Sequence, residues 1–217
     1  MKGLFNMIDK EILLDLTKGL IHNYGLISID DFSHILKSRY GLDIPKRDSL
    51  TKILEDFSHD NDLFNVKDDY IYIDEIRDYN YLKDLQEEHG DLDYKHISYM
   101  EVIESSKLGR PLNKFYKKLY NYLKNTFGIA TSKLPQTIEF LSYNFQLEMP
   151  LHELVQYLIE FSSTKRINDQ TEILSLLGDF LEELPQWSLK GFSVNDLKKK
   201  DENKDKGTFG IITSLHG

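Results

Sequence analysis

Between residues 63 and 73 the chain carries two short β-prone runs, Leu63-Phe64-Asn65-Val66 and Tyr70-Ile71-Tyr72-Ile73, around the charged turn Lys67-Asp68-Asp69. Two such runs so close together predict a hairpin. The stretches before it are patterned mostly for helices. Ile8, Ile12, Leu13, Leu16, Leu20 and Ile21 recur at helical spacing, and Asn23 and Gly25 stop that helix. Leu26-Ile27-Ser28 reads as a short extended piece. Ser28 or Asp30 can cap a second helix with Phe32, Ile35 and Leu36 inward, broken at Gly41 and Pro45. Asp48 or Ser49 can cap a third, with Leu50, Ile53, Leu54 and Phe57 inward. Three helices closed by a hairpin is the winged-helix order, so residues 1–75 are expected to form a winged-helix-like module.

Residues 76–94 are acidic and carry turn signals at Gly90-Asp91, so they read as a linker holding at most a short helix over 81–88. Residues 95–197 read as a helical domain. Its expected helices span 97–107, a stretch from near Pro111 to Phe127, 134–145, 151–161, and a last one capped by Asp169 or Thr171 and ended by Pro185. Residues 198–217 begin with a lysine-rich charged run and read as a solvated, flexible tail. The expected fold class is therefore mainly α: a winged-helix-like module of three helices plus a β-hairpin, then an α-helical domain.

Composition removes several functions. The chain has 217 residues and no cysteine, which excludes disulfides, cysteine zinc sites and thiol catalysis. A cysteine-free chain fits a reducing cytoplasm. No apolar run approaches the roughly 20 residues of a membrane span, and the N-terminus lacks the pattern of a signal peptide. The formal net charge is -9. Its distribution is uneven: residues 1–75 carry 9 basic and 15 acidic side chains, residues 95–134 carry 8 and 2, and residues 135–197 carry 3 and 10. A basic block stands between two acidic ones.

That block centres on one helix. Arg110, Lys114, Lys117, Lys118 and Lys124 fall mainly on one face, with Tyr116, Tyr120 and Tyr122 interleaved. Cations at helical spacing can meet phosphates, and aromatics can stack on unpaired bases. The same pattern serves a solvated face above a core stripe, or a surface for an acidic partner. In the third helix, by contrast, the outward candidates are Thr51, Lys52, Glu55, Asp56 and His59. A carboxylate row costs affinity at every phosphate, so this helix is not expected to read duplex DNA.

No catalytic site is expected. There is no Gly-x-Ser-x-Gly, no phosphate-cradling glycine loop and no His-Glu-x-x-His. No metal and no cofactor is expected. Glu87, Glu88, His89, Asp91, Asp93 and His96 are ligand types without a ligand spacing, and Asp201 to Gly207 fails the calcium-loop pattern because Ile212 stands where a glutamate is needed.

Near the C-terminus the run Leu176 to Leu197, with Trp187-Ser188-Leu189-Lys190-Gly191-Phe192-Ser193-Val194-Asn195-Asp196-Leu197 at its end, resembles the stretch that ends the helical region in a group of uncharacterised proteins of low-GC Gram-positive bacteria, where it often leads into a SEC-C zinc motif. Tyr24-Gly25-Leu26-Ile27-Ser28-Ile29-Asp30-Asp31-Phe32 and Asp69-Tyr70-Ile71-Tyr72-Ile73 resemble the same group. Val194 replaces the group's usual proline, and no cysteine follows, so the zinc motif is absent. The resemblance implies an accessory or adaptor role in a bacterial setting and supplies no activity; a phage setting is a separate expectation that fits a small acidic chain and that no residue selects. From the residues themselves, Trp187 reads as a plug sealing the last helix to the body, and Gly191 as a permissive turn. The expected function is a non-enzymatic protein-interaction, adaptor or regulatory protein. The alternative is nucleic-acid binding through residues 110–124. The partner is then another protein, or nucleic acid, with no membrane and with oligomeric state open.

Overall fold

In the computed structural model, residues 8–60, 62–109, 113–161 and 171–203 are described. They form a mainly helical protein with one small antiparallel sheet. The first elements are α1 (Lys10–Tyr24), β1 (Leu26–Ser28), α2 (Ile29–Tyr40), α3 (Arg47–Asp60), β2 (Phe64–Lys67) and β3 (Tyr70–Ile73). Then come α4 (Tyr79–Glu88), α5 (Tyr99–Leu108), α6 (Lys114–Asn125), α7 (Leu134–Gln146), α8 (Leu151–Phe161), α9 (Thr171–Leu181) and α10 (Val194–Asn203).

Local chemistry sets most of these boundaries. Asp9 caps α1 by accepting from the Glu11 N–H, and Gly25 ends it at φ +68°. Ser28 caps α2 through the Asp31 N–H. Ser98 and Glu101 form a reciprocal capping box on α5. In α6, Asn113 accepts from the N–H groups of both Phe115 and Tyr116. That cap starts α6 later than the expected position near Pro111, which lies outside the described residues, and the helix ends at Asn125 rather than Phe127.

The extended piece 26–28 turns out to be a strand. It pairs with β3, with Leu26 opposite Tyr72 and Ile27 opposite Ile71, so the hairpin grows into a three-stranded sheet of order β1-β3-β2. The hairpin turn places Asp68 at φ +48° and Asp69 at φ +68°. A tight hairpin needs positive φ at both central residues, and aspartate tolerates it better than most. Ile71 and Ile73 point into the core. On the other face Tyr70 and Tyr72 meet Tyr79 of α4, with centroids 6.2 Å and 5.1 Å apart.

Two apolar cores form. The first joins α1, α2, α3 and the sheet through residues such as Leu16, Leu20, Phe32, Leu54 and Ile71. It also takes in Leu82 of α4, Val102 of α5 and Trp187. The second joins α6 to α9 through Leu119, Leu123, Leu141, Leu158, Leu177 and Phe180. This differs from the division expected from sequence, with 76–94 as linker and the second domain starting at 95. Helix α4 carries Leu82 and Gln86 inward, and α5 lies directly on α1. At Gly19 a Cβ atom would fall 2.0 Å from the Val102 carbonyl oxygen, so the missing side chain is what lets the two helices meet.

The reading of 198–217 as a wholly flexible tail needs correction up to Asn203, because α10 extends through the lysine run. Ser193 and Asp196 exchange capping bonds at its start, and Lys198 donates to Glu182 at 2.7 Å. Residues 204–217 lie outside the described part.

Candidate interaction surfaces

Residues 184–197 form a structural clasp. Trp187 is fully buried, and its indole N–H donates to the His22 carbonyl at 3.1 Å. Gly25 sits against that indole: a Cβ there would be 2.4 Å from Trp187 Cγ. Gly191, at φ +89°, lies on the ring of Tyr24. Gln86 is buried beside them, and its amide N–H₂ group lies within 3.3 Å of three carbonyl oxygens, those of Tyr24, Leu26 and Trp187. Residues 92–97 are strapped across the same region. Arg39 donates to the carbonyls of Tyr94 and Lys95, the Tyr24 hydroxyl also donates to Lys95, and Tyr40 donates to Ile97. Lys95 in turn reaches Asp196 at 2.6 Å. The side chains of Trp187, Gln86, Arg39, Tyr24, Tyr40 and Lys95 all serve backbone or a partner within the chain, as in a structural joint.

The second surface is the outer side of α3 and the hairpin turn. Lys52, Glu55, Asp56, His59 and Asp60 are exposed along the helix, and Asp68 and Asp69 are exposed in the turn. Arg47, at the start of α3, is held between Asp30 at 2.9 Å and Asp69 at 3.0 Å, while Lys46 and Lys52 are exposed beside it. Its guanidinium pKa is raised by the hydrogen bonds to Asp69 and Asp30 and by their charges. The Asp68 carboxylate is the hydrogen-bond acceptor for the Tyr79 hydroxyl.

The third is the basic face of α6. Lys114, Lys117, Lys118 and Lys124 are all exposed, while Leu119 and Leu123 are buried beneath them. No ion pair joins Lys117, Lys118 or Lys124 to a carboxylate among the described residues. The tyrosines are placed differently from the cations. Tyr116 and Tyr120 are half-buried against the second core, 6.0 Å from each other, with Tyr116 6.1 Å from Phe180. Tyr122 leans on Phe127 at 5.8 Å. The structure therefore gathers four of the five candidate cations and turns the aromatics toward the core. Arg110 lies outside the described residues.

The fourth surface is a cleft of about 790 Å³ between the start of α4 and α7. Tyr81, Leu82 and Leu85 form one wall, and Phe140, Tyr143 and Leu147 the other. Tyr81 is 53% exposed and Phe140 37%. Asp74, Glu75 and Asp78 line it with Arg77. The Glu75 carboxyl is pushed above the usual carboxylate range by burial first, then by the charges of Asp74 and Glu139. Sequence reasoning did not find this cleft, because its two walls come from distant segments and neither carries a pattern of its own. A smaller polar depression of about 390 Å³ touches Lys95, Glu101 and Glu183. These are committed to Asp196, to Ser98 and to Asn195 respectively.

Among the described residues no three histidine, aspartate or glutamate side chains converge as metal ligands, and no helix is long and apolar enough to cross a membrane. No family model matches the chain, and no match is found among curated proteins or solved structures.

Proposed function

We propose that this chain is a non-enzymatic protein-interaction module, with residues 1–75 acting as a winged-helix-like docking platform. Support for the winged-helix reading comes from the order helix, strand, two helices and hairpin, with the first strand paired to the third. The observation that carries the functional reading is the commitment of Arg47 to Asp30 and Asp69 on a face otherwise rich in exposed carboxylates. A helix offered to duplex DNA needs free donors toward phosphates and base edges, and here Arg47 is internally neutralised. A basic protein surface suits such a face better. The cytoplasm is the compartment that a cysteine-free chain of this kind fits.

The test is affinity capture from the native cell, with and without nuclease, using the wild type and the double substitution Glu55→Lys, Asp56→Lys. The expected result is a partner retained after nuclease and lost with the substitution. Loss of every partner on nuclease treatment overturns the reading. A second reading, nucleic-acid binding, is favoured by the exposed lysines of α6, of which Lys117, Lys118 and Lys124 meet no carboxylate among the described residues. It predicts anisotropy with single-stranded probes that weakens steeply between 50 and 200 mM salt and disappears in Lys117→Glu, Lys118→Glu. The inward tyrosines count against it, since stacking platforms need exposed rings.

A further inference from the structure

The cleft between α4 and α7 is the largest concavity described above, and its contents are unusual for an incidental gap. Tyr81 and Phe140 are two of the large apolar side chains left exposed among the described residues. Phe140 is held in place by stacking on Tyr157 at a centroid distance of 4.3 Å, so its exposed edge is fixed rather than waiting to fold inward. Lone apolar side chains at a surface are ordinary, but two aromatics lining one cleft together with Leu82, Leu85 and Leu147 make a shared apolar patch.

Charge says what the site takes. Asp74, Glu75 and Asp78 line it with one cation, Arg77, and Glu139 of α7 adds its field to Glu75; Asp74 accepts from Asn65 and Asp78 from the Asn80 N–H through one oxygen each, and Glu75 accepts from Tyr143. An acidic or phosphorylated ligand would be repelled there. A purely aliphatic ligand would leave the carboxylates without a counter-charge. A lysine or arginine side chain satisfies both parts: its stem lies on the aromatic walls, and its cationic head meets the ring faces and the carboxylates. A cation there also offsets the charges of Asp74 and Glu139 that act on Glu75.

We propose that this cleft docks a lysine- or arginine-bearing segment of a partner protein, with the apolar part of the segment against Tyr81 and Phe140 and its cation between Asp74, Glu75 and Asp78. The proposal rests on the protein-interaction reading and narrows it to one surface and one partner chemistry. It is separate from the acidic face of α3, which shares none of these residues.

The experiment uses the full chain and fluorescein-labelled pentapeptides of alternating leucine with arginine, with glutamate or with serine. Binding is read by anisotropy and by the emission of Trp187, whose ring lies 5.8 Å from Tyr143 in the cleft wall. Only the arginine peptide is expected to bind. The charge-neutral double substitution Tyr81→Ala, Phe140→Ala should weaken it at least tenfold. Removing charge elsewhere, in Glu55→Gln, Asp56→Asn, should change it less than twofold. Both pairs are exposed, and an unchanged far-UV spectrum with unchanged Trp187 emission confirms that the variants fold. Equal binding by wild type and the aromatic variant overturns the proposal, as does equal sensitivity to the two sets of substitutions, which would mean diffuse attraction to an acidic protein. Concentration-dependent self-association lost in the aromatic variant also overturns it, by making the occupant a second copy. If the arginine peptide fails while nuclease-resistant capture through Glu55 and Asp56 succeeds, the cleft assignment falls and the protein-interaction reading stands.

Discussion

Gln86 is the residue on which the most backbone depends. It comes from α4, in a stretch whose composition reads as a linker, yet its buried amide faces carbonyls from the end of α1, from β1 and from the Trp187 turn. Replacing it with leucine keeps the volume and leaves those carbonyls buried without their shared donor. The expected loss is about 2–3 kcal/mol, read as a fall in the urea midpoint with unchanged slope. An unchanged midpoint would show that the carbonyls are satisfied another way. Nothing local in the sequence announces this role. A glutamine on an acidic helix looks solvated until the chain beyond it has folded back. Gly25 was legible as a helix stop, because stopping a helix is a local matter. Its contact with Trp187 was not legible, since that depends on two segments meeting in space.

At the level of elements the same divide recurs. Helices α1, α2, α3, α7 and α8 were readable because apolar period and capping residues lie within each segment. Strand β1 was readable only as an extended piece, because three residues become a strand through their partner β3. Helix α10 was missed because its lysines read as a solvated run, while its start is fixed by the Ser193–Asp196 exchange and by Lys95. Burial alone would raise the Asp196 carboxyl, but the Lys95 ammonium and the Ser193 N–H and hydroxyl outweigh that and hold it below the usual range. A carboxyl lowered in the folded state stabilises fully above its unfolded value near 3.9, and that contribution fades as pH falls through the folded value. Asp196→Asn is therefore expected to cost about 1 kcal/mol at pH 7, a few degrees in Tm, with the gap to wild type closing as pH falls through the folded carboxyl's lowered value. Thermal melts across pH check this, and a gap that persists undiminished in acid would assign the loss to packing instead.

For the whole molecule, the described residues pack into two apolar cores whose membership does not follow the expected break at residues 94 and 95. The first core is built mainly from residues before 109 and is completed by Trp187. Removing a buried tryptophan typically costs about 3–5 kcal/mol, and a fragment of residues 1–109 loses the indole and the carbonyls' neighbours together. That fragment is expected to bind a hydrophobic dye and to unfold without a cooperative transition, while residues 1–203 unfold cooperatively. A fragment 1–109 with a sharp transition and the full chain's midpoint would show the first core to be self-sufficient. The candidate surfaces follow the same logic of scale. The lysines of α6 were visible from their spacing, whereas the α4–α7 cleft exists only once the two cores are set side by side.

Trp187 also carries information about time. A ribosome making this chain at about 5–20 residues per second needs roughly 4–16 s to travel from Gly109 to Trp187. Through that interval the pocket lined by Gly25, Tyr24 and His22 has emerged or is emerging without the indole that fills it. The N-terminal part is thus kept waiting on a residue that arrives late. A chain whose translation stops early displays an open apolar socket, which is the signature that chaperones and proteases act upon. A chain read through to residue 187 carries the one side chain of the first core that comes from beyond Val102 among its fully buried members.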